Sequence, residues 1–160
     1  MVSKGLCRRS VRGAMPMRCA RKPVILVIED YGDSREMMKL LLEDLGYRVL
    51  AAANGHEALA LAGNNHLDLI LTDFGLPDMD GIRVVRSLRK LNIRLRHVPI
   101  IMLTALNGDE SYYAALSAGC TAFLTKPTDF ETLQTMIEKL LDENFDHTEA
   151  RANHVQVRES

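Results

Sequence analysis

The sequence predicts an α/β fold, a doubly wound five-stranded parallel sheet, and three observations carry that expectation. Short apolar runs alternate with helix-spaced segments five times over. The first run, Val24–Ile28, is continuous rather than alternating, as a strand covered on both faces requires. Strands that alternate with helices are joined by right-handed crossovers, which makes the sheet parallel and covers it on both sides.

Each element has a local reason. After the first strand, Asp33 with Glu36 reads as a capping box, Met37, Leu40, Leu41 and Leu45 as the buried face of the first helix, and Gly46 as its stop. Met37-Met38 reads as core packing. Residues 48–53 form the second strand, and Asn54 with Glu57 opens a short Ala/Leu helix ending near Gly63. Residues 67–72 are the third strand. The Asp80-Gly81 turn leads into a helix with Ile82, Val85 and Leu88 on one face. Residues 99–103 are the fourth strand, followed by a short helix from about Asp109 to Ala118 that stops at Gly119. Ala122–Thr125 is the fifth strand. Pro127 ends it, and Thr128 with Glu131 caps a last helix that buries Leu133, Ile137, Leu140 and Leu141.

Length and charge divide the chain. Its 160 residues suit one domain with a single good core. Residues 1–22 carry seven basic groups and no acid, residues 142–160 five acids and two arginines, and residues 23–141 a net charge of -5. The expected organisation is a basic, disordered arm over 1–22, the folded domain over 23–141, and a polar, frayed tail over 142–160. The arm also admits a transit-like role or an over-long start, with Met15 and Met17 as alternative first residues. An acidic body argues against nonspecific nucleic-acid binding. Cys7, Cys19 and Cys120 are odd in number and form no metal-ligand spacing, which favours a reducing cytoplasm. No apolar run approaches the roughly eighteen residues of a membrane span. The five His residues share no ligand spacing. Arg83, Arg86, Arg89 and Lys90 read as a solvated helix face, with an acidic docking partner as the alternative.

The chemistry-bearing residues sit where the apolar runs end. Glu29-Asp30 ends the first run, Asp73 the third, Thr104 the fourth and Lys126 the last. In an open parallel sheet the carboxyl ends of the strands meet at one crevice, where ligands bind. Three carboxylates, a hydroxyl and an ammonium gathered there can hold a divalent cation and a phosphoryl group. Each residue has a plainer reading as well: an acid capping a turn, a β-branched strand end, a surface lysine.

Together these residues name a resemblance. The acidic pair after the first strand, Asp73-x-x-x-Pro77-x-x-Asp80-Gly81, Thr104-Ala105, and Phe123-Leu124-Thr125-Lys126-Pro127 are similar to the receiver domain of two-component response regulators, over about residues 23–141. The resemblance implies a flavodoxin-like fold with strand order 2-1-3-4-5. It implies Asp73 as the phosphoacceptor, with Glu29, Asp30, Asp73 and the Gly75 carbonyl around Mg²⁺. It further implies Thr104 as the switch hydroxyl, Lys126 as the phosphoryl-binding ammonium, Phe123 as the switch aromatic and a cis Lys126-Pro127 bond. Ala105 is small enough to leave the phosphoryl path open. Gly75 and Leu106 occupy positions whose side chains, in this family, help or hinder the water that removes the phosphoryl group. Neither can orient a water, so decay is expected to lack side-chain assistance.

The implied function is a single-domain, cytoplasmic response regulator. It would take phosphate from a histidine kinase or histidine phosphotransfer protein and signal to a downstream protein through the face of the fourth helix, fifth strand and fifth helix, with homodimerisation on phosphorylation. It would catalyse only its own phosphorylation and dephosphorylation, and would bind no nucleic acid and no membrane. Two alternatives stand beside it. A haloacid dehalogenase-like aspartyl-phosphate phosphatase wants a second acid two residues past the nucleophile, where this chain has Gly75. A receiver fragment of a DNA-binding regulator wants an output domain, for which nineteen residues after position 141 leave no room.

Overall fold

The fold is seen in a computed structural model that describes residues 21–105 and 108–155, with side chains described as far as Asn144. Most of the basic arm, Cys7, Cys19 and Leu106 lie outside the described residues. Five strands, β1 (Val24–Ile28), β2 (Arg48–Ala52), β3 (Leu69–Asp73), β4 (Ile100–Thr104) and β5 (Ala122–Thr125), pair in parallel in the order β2-β1-β3-β4-β5. The helices are α1 (Gly32–Asp44), α2 (Gly55–Asn64), α3 (Gly81–Leu91), α4 (Asp109–Ala118) and α5 (Phe130–Val155), with a short 3₁₀ turn at Arg94–Arg96. This is the doubly wound, flavodoxin-like arrangement the sequence predicts.

Alternation along each strand feeds two separate cores. Leu26 and Ile28 of β1, Ile70 of β3 and Met102 of β4 point to the layer of α2, α3 and α4, where they meet Ala58, Val84 and Leu88. Ile25 and Val27, Leu69 and Leu71, and Ile101 point the other way, against Leu42 of α1 and Leu133 and Ile137 of α5. All five residues of β1 are buried, which explains the absence of polar alternation in its sequence. Each fully buried Leu or Ile contributes on the order of 2 kcal/mol of apolar transfer.

Several local expectations need correction. The buried face of α1 is Leu42 with half-buried Met38, whereas Met37 and Leu40 are 60% and 57% exposed and Leu41 and Leu45 also face outward. Leu40-Leu41-Leu42 is a run with no unique helical stripe, so spacing alone could not choose the phase. Asp33 and Glu36 do not form a capping box, because α1 starts at Gly32 and Tyr31 occupies the cap without a side-chain bond. In α5 the cap is Asp129, whose Oδ1 accepts from Thr132 N at 2.7 Å. Thr128 instead donates to the Thr125 carbonyl. Helix α2 does end near Gly63 as read, at Asn64. Helix α5 continues through the segment expected to fray from Asp142, reaching Val155.

Other signals operate as read. Asn54 caps α2 by accepting from Glu57 N, and Asp80 caps α3 by accepting from Arg83 N. Gly46 and Gly119 end α1 and α4 with φ of 96° and 111°, the left-handed region that favours glycine. Arg89 does not belong to a solvated face. It is half-buried and donates to the carbonyls of Gly119, Leu95 and Val98, stitching α3 to the 3₁₀ turn, to the start of β4 and to the end of α4. Burial holds its guanidinium below the ordinary value. Cys120 beside it is buried, which pushes its thiol up to about 11.

Candidate functional site

Register brings the strand ends together. Ile28 is level with Thr72, so Glu29 and Asp30 leave β1 beside Asp73 at the end of β3. Asp73 is level with Leu103, which places Thr104 one residue beyond it on β4. Thr104 is level with Thr125, so Lys126 emerges next, and its N–H donates to the Thr104 carbonyl at 2.6 Å. Glu29, Asp30 and Asp73 each offer an oxygen, and these oxygens lie within 4.8 Å of one another. The Lys126 ammonium donates to Glu29 Oε2 at 3.1 Å and stands 3.4 Å from Asp73 Oδ1.

Glu29 and Asp73 are half-buried and Asp30 is exposed, so the cluster opens to water on one side. Burial works against the Lys126 charge, but the Glu29 hydrogen bond and the Asp73 and Glu29 charges outweigh it, holding the ammonium above its ordinary value. Asp73 Oδ1 also accepts from Phe74 N at 2.8 Å. Thr104 is buried, Ala105 is exposed, and Gly75 follows on the loop after Asp73 with no neighbour within 4 Å of where a Cβ would stand. The Lys126-Pro127 bond is cis. Phe123 is half-buried on β5, and its ring meets Tyr112 of α4 edge to face at 5.8 Å and 89°.

The donor set suits a hard dication. Three carboxylates supply oxygen ligands, and the open side leaves room for waters that Mg²⁺ retains. Like charges this close are unfavourable without a cation to offset them.

Close packing shapes the loop after β3. A Cβ on Gly81 would stand 2.6 Å from the Asp73 carbonyl oxygen and 3.0 Å from Phe74 Cα. Gly81 N donates to the Phe74 carbonyl at 2.7 Å, which closes the loop on itself. Glycine is therefore needed at 81 for close approach, beyond the turn propensity that suggests it.

Two residues at the site escaped the sequence reading. Arg35 of α1 donates from Nη1 to the carbonyls of Glu29 (2.8 Å) and Asp30 (3.2 Å), fixing the backbone of the acidic pair. Asp78 accepts from Gly55 N and His56 N at the start of α2, both at 2.9 Å, and pairs with the exposed His56 ring. Those backbone bonds, Gly55 foremost, hold its carboxyl well below the usual carboxylate range. Arg35 was legible in principle, lying in the first turn of α1 only five residues past Asp30. Asp78 was not, since its partners lie over twenty residues away.

This fold, with acids and one lysine at its switch point, defines a receiver domain. Residues 25–138 match the response regulator receiver domain family, and the chain belongs to it. Over 119 residues it is 34% identical to the chemotaxis protein CheY of Pseudomonas aeruginosa, covering 74% of this chain and 95% of that protein. It is 38% identical over 117 residues to the transcriptional regulatory protein ZraR of Salmonella typhimurium, covering 73% of this chain. The match spans only 26% of ZraR's length. The receiver domain of the Pseudomonas aeruginosa sensor histidine kinase PA1611, solved with a magnesium ion coordinated in its active-site cleft, superposes with a TM-score of 0.70 at 33% identity. That superposition covers 76% of this chain and 99% of the other. Receiver domains are signalling modules of two-component systems. Among the described residues, no helix is long and apolar enough to cross a membrane.

Proposed function

We propose that this chain is a phosphorylation-controlled switch in which Asp73 accepts a phosphoryl group from a phosphohistidine, on a histidine kinase or histidine phosphotransfer protein. The observation that carries the proposal is the Lys126 ammonium within 3.4 Å of Asp73, inside a cluster of three carboxylates. Asp73 supplies the nucleophile. An Asp73 oxygen bonds to phosphorus as the histidine N–P bond breaks, and the departing imidazole nitrogen keeps the electron pair and takes up a proton. Lys126 faces the incoming phosphoryl oxygens with a fixed positive charge. Glu29, Asp30, Asp73 and the Gly75 carbonyl would hold Mg²⁺, which when bound supplies charge that offsets both the carboxylates and the phosphoryl group.

The phosphoryl donor is a protein. Tyr31, Met37 and Leu40 are 62%, 60% and 57% exposed on and beside the first turns of α1, next to the acidic pair. A cavity of about 610 Å³ beside them reaches Asp73 and Lys126 and is lined by Met37, Met38, Pro127 and Leu133. Exposed apolar surface grouped at a reactive site suits macromolecular docking. Downstream, attraction of the Thr104 hydroxyl to a phosphoryl oxygen would draw its loop inward and turn Phe123 further into the fold. The signal would leave through α4, β5 and α5, where Tyr112, Tyr113 and Leu116 are exposed, toward a target protein or a second copy. The chain would work in the cytoplasm, with no nucleic-acid or membrane ligand of its own.

The partial match to ZraR supports a second reading, in which the same switch acts within a longer DNA-binding regulator. The dehalogenase-like phosphatase gains no support, because Gly75 offers no carboxyl to serve as its general acid. The test is acetyl phosphate labelling of the parent and Asp73→Asn, with and without Mg²⁺, read by intact mass. One phosphoryl adduct on the Mg²⁺-loaded parent alone is expected. An adduct that persists in Asp73→Asn overturns the assignment.

A further inference from the structure

We propose that Asp78 is a positioning residue for the metal-binding loop, tying the segment that carries Gly75 to the amino terminus of α2 and thereby setting the affinity for Mg²⁺. The inference rests on the reading of Glu29, Asp30, Asp73 and Gly75 as the metal site.

Both carboxylate oxygens of Asp78 are engaged. Oδ1 accepts from Gly55 N at 2.9 Å and from Met79 N at 3.0 Å, and Oδ2 accepts from His56 N at 2.9 Å while meeting the His56 ring. Gly55 N and His56 N are first-turn donors with no partner inside α2, so a residue from the loop after β3 completes that helix end. The approach is tight: a Cβ on Gly55 would stand 2.6 Å from Met79 Cγ, 2.8 Å from Met79 Sδ and 2.9 Å from Val84 Cγ2.

Helix α2 already carries a local cap. Asn54 Oδ1 accepts from Glu57 N at 2.8 Å, and Glu57 Oε2 accepts from Ala53 N. What Asp78 adds is a link between elements. The near end of its loop is fixed at Asp73 and Phe74, where Gly81 N donates to the Phe74 carbonyl. Gly75 itself has no side chain and open space around it. Leu76 packs partly against the core, Pro77 restricts its own φ, and Asp78 then fastens the outer edge. A carbonyl ligand held in place before the ion arrives leaves less ordering to be done on binding.

Two variants separate positioning from helix stability. Asp78→Ala removes the link, whereas Asn54→Ala removes the local cap of the same helix and leaves the link intact. Asp78→Asn keeps Oδ1 for Gly55 and Met79 but loses the His56 side, so it serves if Asp78→Ala does not fold. The full chain is titrated with MgCl₂ by calorimetry, and each variant is also melted in chelator. Asp78→Ala should weaken Mg²⁺ binding by about tenfold, the scale seen when outer partners of metal ligands are lost. Asp78→Asn should fall between it and the parent. Asn54→Ala should lower the melting temperature but keep the parent's Mg²⁺ affinity. Parent-like affinity in Asp78→Ala, or equal weakening in Asn54→Ala, overturns the proposal. A parent that binds no Mg²⁺, or an Asp73→Asn variant that binds it equally well, overturns the metal-site reading itself and Asp78's role with it.

Discussion

Replacing Asp30 with Asn should stabilise the metal-free protein and remove its response to Mg²⁺. Asp30 presents an oxygen within 4.8 Å of oxygens on both Glu29 and Asp73. Among the described residues, the ion pairs of Lys126 go to those two acids and not to Asp30. Two like charges 4.8 Å apart repel by about 0.9 kcal/mol in a water-like dielectric. Screening over about 8 Å at physiological salt roughly halves each pair, leaving on the order of 1 kcal/mol for the two together. Asparagine keeps the volume and removes the charge. The melting temperature in chelator should therefore rise by about 4 °C. Mg²⁺ at a hundred times its Kd should stabilise the parent by about 2.7 kcal/mol and the variant hardly at all. The order of the two melting temperatures should thus invert between chelator and Mg²⁺, as read by differential scanning calorimetry. A variant that melts below the parent in chelator, or that keeps the full rise with Mg²⁺, refutes the reasoning.

At the opposite end of the sheet, buried Asp68 accepts from Arg21 Nη1 and Nη2 and from Val24 N, so Asp68→Asn should cost about 2 kcal/mol near neutral pH. Burial opposes its charge, but those bonds hold its carboxyl below the ordinary 3.8. The stabilisation is present above the unfolded value and lost as pH falls through the folded one, so urea melts of parent and variant should converge only below about pH 4. A gap that ignores pH counts against this. Arg89→Leu should cost about 2–3 kcal/mol in urea unfolding, by stripping the donors from three carbonyls. A loss under half that would mean water replaces the guanidinium. Gly81→Ala forces a methyl against the Asp73 carbonyl and should lose about 1–3 kcal/mol together with much of the acetyl phosphate labelling rate. Unchanged labelling would show that the loop yields freely. Gly75→Asn with Leu106→Glu should speed loss of the phosphoryl group, measured by its decay after the donor is removed, and an unchanged rate would show that those positions do not govern it.

Much of this architecture was legible because the signals were local. A continuous apolar run marks β1, acids and a lysine mark the strand ends, and Asn54, Asp80 and Gly119 punctuate their helices as their chemistry dictates. The failures have physical causes too. Helix α1 offers apolar residues on most of its circumference, so spacing could not tell the core stripe of Met38 and Leu42 from the exposed stripe of Met37 and Leu40. Thr128 looked like a cap until the neighbouring Asp129 took that role. Arg89 read as one cation in a row of cations, and only the fold shows three carbonyls turned toward it. Asp78 and Arg35 act on backbone groups of other segments, which leaves little trace in composition or period.

A strand with oil on both sides has no polarity code to reject a one-place slip. In β1 the error would merely exchange Ile25 and Val27 for Leu26 and Ile28, one greasy set for another. The misalignment is instead caught at the termini, where Asp68 grips the Val24 amide and Glu29 N reaches the Ala52 carbonyl. A carboxylate at the amino end of the central strand thus helps fix the address of the clustered acids, five residues or about 17 Å away. Damage to that distant anchor should then surface as misplaced chemistry as well as lost stability.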